Sequence, residues 1–438
     1  MRIRPRNTSG LATPYGRRSQ GVPILGDATW LGTWADGAFF AADLIENKVR
    51  LKGAVTPLAS VSGISIARAS TAYYCNSAGV LSSFASGAAR IGDRGLLVEP
   101  AATNLALQSQ TFDNASWSKS NSTVTANAVA APDGTTTADK LIPSAAATDG
   151  RIIQTVAGLS SGGTYTLSCY GKAGEHSNFR IYMDDSGSNS ASVSYNLSTG
   201  AVSTAAAVAG TWTAVSTTVT ALANGWYRCT VTFTATSAAP TRAAIWCRDT
   251  GDGTSGIYLW GAQLEATAYA TSYIPTTTAS ATRAADVISI GSVTGLSYPM
   301  TLYAEFERAS DLGGNEWLLQ VDEGSANERA VLRVNSSDQL SSLTVAGGVQ
   351  QSGEAVTGAL AIGTVYRGAV RIATDDIKAA VSGSLSSGDT SCTNPSSPTS
   401  IRIGSSQTGG TGFAGYLRKL GIYPSAYTDA QLQAITPA

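Results

Sequence analysis

Through most of this 438-residue chain, apolar and polar positions alternate at period two in short runs. Such alternation sends neighbouring side chains to opposite faces of a strand. Between about 104 and 278 the runs include Gly163-Thr-Tyr-Thr-Leu-Ser-Cys-Tyr170, Asn178-Phe-Arg-Ile-Tyr-Met183, Gly225-Trp-Tyr-Arg-Cys-Thr-Val-Thr-Phe233, Ala243-Ala-Ile-Trp-Cys247 and Ile257-Tyr-Leu-Trp-Gly-Ala-Gln-Leu264. Gly, Asn, Asp and Pro separate them, so the pattern predicts a β-sandwich. From about 286 to 438 a second β-rich unit follows, with Met300, Leu302, Ala304 and Phe306 forming one face of a strand. Near the end, Thr428 with Gln431 three residues on forms a capping box and predicts a terminal helical turn.

The N-terminal quarter carries less periodic signal. Residues 61–103 predict a hairpin and an extended connector, in which Pro100 holds Glu99 away from helical geometry. Residues 1–60 show neither period, although Trp30, Trp34, Phe39 and Phe40 cluster among Gly and Ala. That segment is expected to order against another subunit or a docking protein. The predicted architecture is all-β: two β-sandwich (jelly-roll) domains in tandem, at 104–278 and 286–438, after an irregular N-terminal attachment segment. No heptad, collagen-like repeat or longer fixed period interrupts it.

Composition agrees. Hydrophobic residues make up 43% of the chain and charged residues only 13%, so Ser, Thr and Asn carry the polarity. Helix-rich soluble chains use more Glu, Lys and Leu. A net charge of −1 gives no global field toward nucleic acid or an anionic membrane. Arg2, Arg4, Arg6, Arg17 and Arg18 make the N-terminus locally basic, which fits packing on a partner better than a nucleic-acid arm. No apolar run long enough for a signal peptide or a membrane span is present. A soluble chain without nucleic-acid binding or membrane insertion is expected.

Little in the chain resembles catalytic machinery. His176 is the single histidine and sits in a Gly-bearing turn, where an exposed loop histidine is expected rather than a general base. No Gly-x-Ser-x-Gly segment sits between a strand and a helix, as a hydrolase elbow requires. Candidate carboxylate pairs for glycoside hydrolysis are Asp184-Asp185, Asp249 with Asp252, Asp322-Glu323 and Asp375-Asp376, but all lie among turn formers. The five cysteines, Cys75, Cys169, Cys229, Cys247 and Cys392, lack any C-x-x-C spacing and are expected as free thiols, with Cys169 and Cys229 on apolar strand faces. No cofactor is expected. The loop holding Asp249 and Asp252 offers oxygen ligands that a structural calcium could use.

Several phrases together resemble a module of tailed-bacteriophage fibre and receptor-binding proteins. They are Arg68-Ala-Ser-Thr-Ala-Tyr-Tyr74, Ser77-Ala-Gly-Val80 and Gly95-Leu-Leu-Val-Glu-Pro100, followed by Tyr258-Leu-Trp-Gly-Ala-Gln-Leu-Glu265, Thr271-Ser-Tyr-Ile-Pro-Thr276 and Arg283-Ala-Ala-Asp286. The middle unit is similar to carbohydrate-binding-module-like jelly rolls. The strand Gly412-Phe-Ala-Gly-Tyr-Leu-Arg-Lys-Leu-Gly-Ile-Tyr423 before a short helix resembles the close of a concanavalin A-like (laminin G-like) lectin domain. The resemblance implies a virion tail-fibre, tail-tip or head-fibre protein, usually a homotrimer, attached through its N-terminal segment to other virion proteins and binding bacterial surface polysaccharide without being an enzyme. It would be assembled in the host cytoplasm. Two rivals are a polysaccharide depolymerase and a purely architectural or protein-receptor-binding component.

Sugar binding pairs an aromatic plane with Asp, Asn, Arg or backbone donors. Trp226 and Trp260 lie in runs that read as core. Tyr182, Trp212 and Trp246 are the aromatic candidates; with Arg180, Arg248 and Asp184 they could line a concave sheet face, although an ordinary outer face or subunit contact would use the same pattern.

Overall fold

A computed structural model describes residues 33–407, 409–410 and 412–438. It is all-β, with one short helix, and its strands build two sandwiches. In the first, a six-stranded sheet runs in the order Ser118–Ser120, Gly150–Thr155, Arg242–Cys247, Asn178–Asp184, Ser190–Asn196, Ala201–Ala209. It packs on a seven-stranded sheet centred on Ile257–Glu265, Thr164–Ala173 and Trp226–Thr234. Phe179, Ile181, Met183, Ile245 and Cys247 from one sheet meet Leu167, Cys169, Cys229 and Val231 from the other in a single core. Cys169 and Cys229 sit directly opposite each other as buried free thiols. Cys247 and Cys392 are also buried, and Cys75 is half-buried.

The second sandwich differs from the tandem arrangement expected from the sequence. Its ten-stranded sheet contains Met300–Arg308, Val365–Ala373 and Gly415–Tyr423, but also Phe40–Asp43, Lys48–Leu51, Ala54–Thr56 and Gly95–Val98. Its seven-stranded partner takes in Ile64–Ala67, paired with Val287–Ile290. Residues 40–67, assigned above to a docking segment and connector, therefore complete the C-terminal sandwich. Phe40, Leu44, Val49 and Leu58 are buried in the same core as Leu302, Phe306 and Ile422. Trp34 lies against Tyr303, with ring centroids 5.8 Å apart. The physical reason is apolar area: these short strands bury their hydrophobes on an edge the C-terminal strands leave open. Trp30 and the arginines at 2–18 lie outside the described residues. The terminal helix Asp429–Ile435 forms as expected, capped by Thr428 and Gln431, and seats Leu432 beneath Tyr303 and Tyr423.

The first sandwich is thus inserted between strands of the second. The entering segment Ala102–Asn104 pairs antiparallel with the leaving segment Ala281–Arg283, so both crossings run side by side. Gly95, at φ +106°, opens the last strand before the crossing. A Cβ there would come within 2.3 Å of the Leu417 carbonyl oxygen, which is why the phrase begins with glycine.

A hairpin, Ala72–Cys75 with Leu81–Phe84, stands between the sandwiches. Because successive strand residues face opposite ways, Tyr73 packs edge-on to Tyr273 and Trp260 of the first sandwich, whereas Tyr74 packs on Tyr416 of the second. Beside it lies a buried ion cluster. Asp286 accepts from Arg68 Nη1 (2.9 Å), Arg90 Nη2 and the Glu99 amide (3.0 Å), while Glu99 accepts from Arg90 Nη1 (2.6 Å) and the Ser272 hydroxyl (2.6 Å). Arg283 lies 3.6 Å from Glu99. Three guanidiniums face two carboxylates; backbone carbonyls of Ser70, Tyr73, Ala85, Ala88 and Pro100 accept further donors, while Arg90 Nε and Arg283 Nε are buried without a hydrogen-bond partner.

Burial alone would raise the pKa of Glu99. Arg283, Arg90 and the Ser272 donors outweigh it and hold the carboxyl down at about 2, against an ordinary 4.5. A carboxyl depressed in the folded state stabilises the fold above its ordinary pKa, and that contribution is lost as pH falls. The window runs from about pH 4.5 down to about 2. Glu99→Gln is expected to cost about 3–5 kcal/mol at neutral pH, because it strands buried arginines, and to flatten the pH dependence across that window. Urea denaturation at pH 7 and pH 3 measures both effects; unchanged pH dependence in the variant would remove Glu99 as its source.

Candidate functional site

The six-stranded sheet of the inserted sandwich has one face in the core and one turned out. Ile181 pairs with Ile245 and Ile152 with Ile245, all inward, so their neighbours Arg180, Trp246 and Arg151 share one outward row across three strands. Tyr182 lies one pleat along, beside Ser192 and Ala244. Arg248 follows Trp246 by two residues on the same side and is exposed. The Tyr182 and Trp246 rings sit 5.7 Å apart at 52°. Around Trp246 stand three guanidiniums, from Arg151 at 4.5 Å, Arg248 at 5.4 Å and Arg180 at 5.6 Å from the ring centre.

The electrostatics are uneven. Arg151 is paired with Asp149 at 2.7 Å. Arg180 Nη2 donates only to the Ser192 hydroxyl, at 2.7 Å. Burial and then the like charge of Arg248 push the Arg180 pKa down, with Tyr182 opposing. Arg180 Nε and Trp246 Nε1 are shielded from solvent and have no hydrogen-bond partner. The row is rich in donors and short of acceptors.

Four of the six expected glycan-binding residues, Arg180, Tyr182, Trp246 and Arg248, are therefore brought together. Trp212 is not among them. It is 2% exposed, stacks on Phe233 at 4.7 Å and 15°, and donates from Nε1 to the Ala238 carbonyl. It lies in the turn between Ala201–Ala209 and Thr213–Ser216, where Gly210 has positive φ, and folds back into the core. Asp184 stands on the correct face but is committed: Arg242 grips both its oxygens at 2.7 and 3.0 Å, and the Ser186 amide adds a third bond. Arg151 was missed, because only the pairing register, not the spacing, puts it opposite Trp246. Trp226 and Trp260 are core, as expected.

The remaining candidates are turn and ion-pair residues. Asp249 accepts both backbone amides of Ser177 and Asn178, and Asp252 caps a turn at Thr254 and Ser255. Asp249 is thus spent on the segment at Ser177 and Asn178 and Asp252 on its own turn, and no cluster of three or more His, Cys, Asp or Glu suited to a metal occurs among the described residues. Asp185 closes a loop on Asn189 and Gly187. Asp322 is held by Arg402 at 2.5 and 3.0 Å, Glu323 bonds Ser325, Asp375 takes the Cys392 amide and Asp376 pairs with Arg371. His176 is half-buried rather than exposed, with Nδ1 3.9 Å from Asp249.

The fold defines a protein of two β-sandwiches. No protein-family model matches the chain, and no curated protein does. Solved structures similar to it include the Ruminococcus gnavus IT-sialidase CBM40, at 15% identity over 32% of this chain and 82% of that one, with a TM-score of 0.28. Mouse laminin alpha1 chain domains LG4-5 match at 12% identity over 64% and 90%, with a TM-score of 0.24. The LG1-3 region of the laminin alpha2 chain matches at 9% over 64% and 66%, with a TM-score of 0.26. At these scores no ligand or role is taken from the matched proteins. Among the described residues no helix is long and apolar enough to cross a membrane.

The two tryptophans should separate in denaturation. Trp212→Ala removes a core ring and is expected to cost about 3–5 kcal/mol. Trp246→Ala empties an outer face and should cost less than half of that. Equal losses in urea melts would put both rings in the core.

Proposed function

We propose that this chain is a virion adhesin of a tailed bacteriophage, a fibre or tail-tip component that binds bacterial surface polysaccharide without cleaving it. The observation that carries the binding role is the outward Tyr182–Trp246 pair ringed by Arg151, Arg180 and Arg248. Sugar rings offer apolar C–H faces to aromatic planes and hydroxyls to flanking donors, and this face supplies both. The virion assignment, attachment through the N-terminal residues and assembly as a homotrimer rest on the phage-fibre phrases in the sequence. Binding without catalysis is favoured because each carboxylate of the candidate pairs is already engaged by arginine, hydroxyl or backbone donors. Several copies on one particle would sum weak sugar contacts into firm adhesion.

Co-elution of the protein with surface polysaccharide from a sensitive host on size exclusion, with polymer length unchanged, is the expected result. Trp246→Ala and Tyr182→Ala should each weaken retention about tenfold, equivalent to about 1.4 kcal/mol, while Asp375→Asn should leave it unaltered. Progressive shortening of the polymer would overturn the non-enzymatic reading.

A further inference from the structure

The charge of the Trp246 face narrows its ligand class, and this step rests on the polysaccharide-binding reading above. Arg151, Arg180 and Arg248 bring three positive charges to one row, and Asp149 returns one of them through Arg151. Asp184 on the same face is neutralised by Arg242. Asp249, next to Arg248 in sequence, has its carboxylate turned to the Ser177 and Asn178 amides. Arg180 and Arg248 therefore face outward with no carboxylate in direct contact, in a chain whose net charge is −1, although Asp149, held below the usual carboxylate range by Asn121, Arg151 and then Arg248, lies nearby.

That arrangement is costly without a ligand. Like charges crowd one another, and burial together with Arg248 already disfavours the charged form of Arg180. Elsewhere in the molecule several buried or half-buried arginines meet carboxylates, Arg90 with Glu99 and Asp286, Arg308 with Glu316, Arg402 with Asp322, while Arg228 and Arg333 donate to hydroxyl or carbonyl oxygens. The corresponding face of the C-terminal sandwich makes a useful contrast. There Trp317 stands opposite Arg333, but it is 5% exposed and its Nε1 donates to Gln320 Oε1 at 2.8 Å, so its polar group is satisfied internally. At Trp246 the corresponding donor has no acceptor, and neither has Arg180 Nε.

We propose that the Trp246 face binds an acidic polysaccharide, with a sugar ring against Tyr182 and Trp246 and the carboxylate of that sugar or its neighbour held by Arg180 and Arg248. Planar guanidiniums match carboxylates in a two-point geometry, and charge-assisted bonds of this kind exceed neutral ones. The face is the outward side of the sheet and open to water, so the binding is salt-sensitive, unlike the joint cluster, which is sealed from water.

The test is a printed array of acidic and neutral bacterial polysaccharides, each acidic polymer accompanied by its carboxyl-reduced form, probed with the full chain at about 50 and about 500 mM NaCl, where screening differs severalfold. The expected result is binding confined to acidic polymers, lost on carboxyl reduction and weakened by salt. Arg248→Ala, which touches no core residue, should reduce it about tenfold or more, and Arg248→Lys should recover part of the loss by restoring charge without the fork. Binding to reduced and acidic forms alike, or binding indifferent to Arg248, would overturn the acidic-ligand inference and leave a neutral lectin. Binding to nothing on the array, by wild-type protein with an intact melting transition, would overturn the polysaccharide reading as well.

Discussion

The buried cluster of Arg68, Arg90, Glu99, Arg283 and Asp286 is the constraint on which the rest of the molecule depends. These residues come from four separate stretches of chain and meet where the inserted sandwich joins its host. Charges removed from water are stable only when geometry and hydrogen bonding are complete. Here each carboxylate oxygen is met by a guanidinium or an amide, and most surplus guanidinium donors end on carbonyls, with Arg90 Nε and Arg283 Nε left over. Such a cluster tolerates little displacement of any contributor. Apolar packing alone would permit the two sandwiches to slide, whereas directional bonds fix one seating.

The wedge hairpin supplies the apolar half of the same joint. Tyr73 and Tyr74, adjacent in sequence, serve different sandwiches because a strand turns consecutive residues to opposite sides. Leu81 continues the contact with Trp226 and Trp260, and Phe84 that with Leu97 and Tyr416. Arg94 extends the polar seam by lying 3.7 Å over the Tyr416 ring while pairing with Glu307. The phrases that stand out in the sequence as fibre-like, those around Arg68, Glu99 and Asp286, are thus the phrases that build the joint rather than a binding surface.

How much of this was legible beforehand follows from range. Strands of seven to ten residues, such as Thr164–Ala173 and Asn178–Asp184, announce themselves by period; in Asn178–Asp184 burial alternates as the spacing implies, whereas Thr164–Ala173 is buried on both faces. Phe40–Asp43 and Ile64–Ala67 are four residues each, too short to display one, and their partners Gly415–Tyr423 and Val287–Ile290 lie hundreds of positions away. The aromatic cluster holding Phe39 and Phe40 was expected to order against another subunit or a docking protein, whereas both pack into the chain's own core. The convergence of Arg68 on Asp286, 218 residues apart, leaves no trace in local spacing. Trp212 failed for a different reason: it sits in a turn after Gly210, outside any strand, where no period tells which way a side chain points.

Charge scarcity gives the Trp246 face its meaning. In a chain with 13% charged residues, a uniform surface field is absent, and whatever electrostatic recognition exists must be local. Most of the interior arginines are spent on structure, at the joint, on Glu316, on Asp322 and on Glu307. Placing two more on a strand row beside an aromatic pair, without carboxylate partners, costs stability through mutual repulsion. The sheet can bear that cost because Ile152, Ile181 and Ile245 beneath the row are fully buried and hold the backbone that spaces the three arginines. The same alternation that fills the core therefore also sets the spacing of the donors outside it, and a ligand meets a preformed row rather than side chains that must first be ordered.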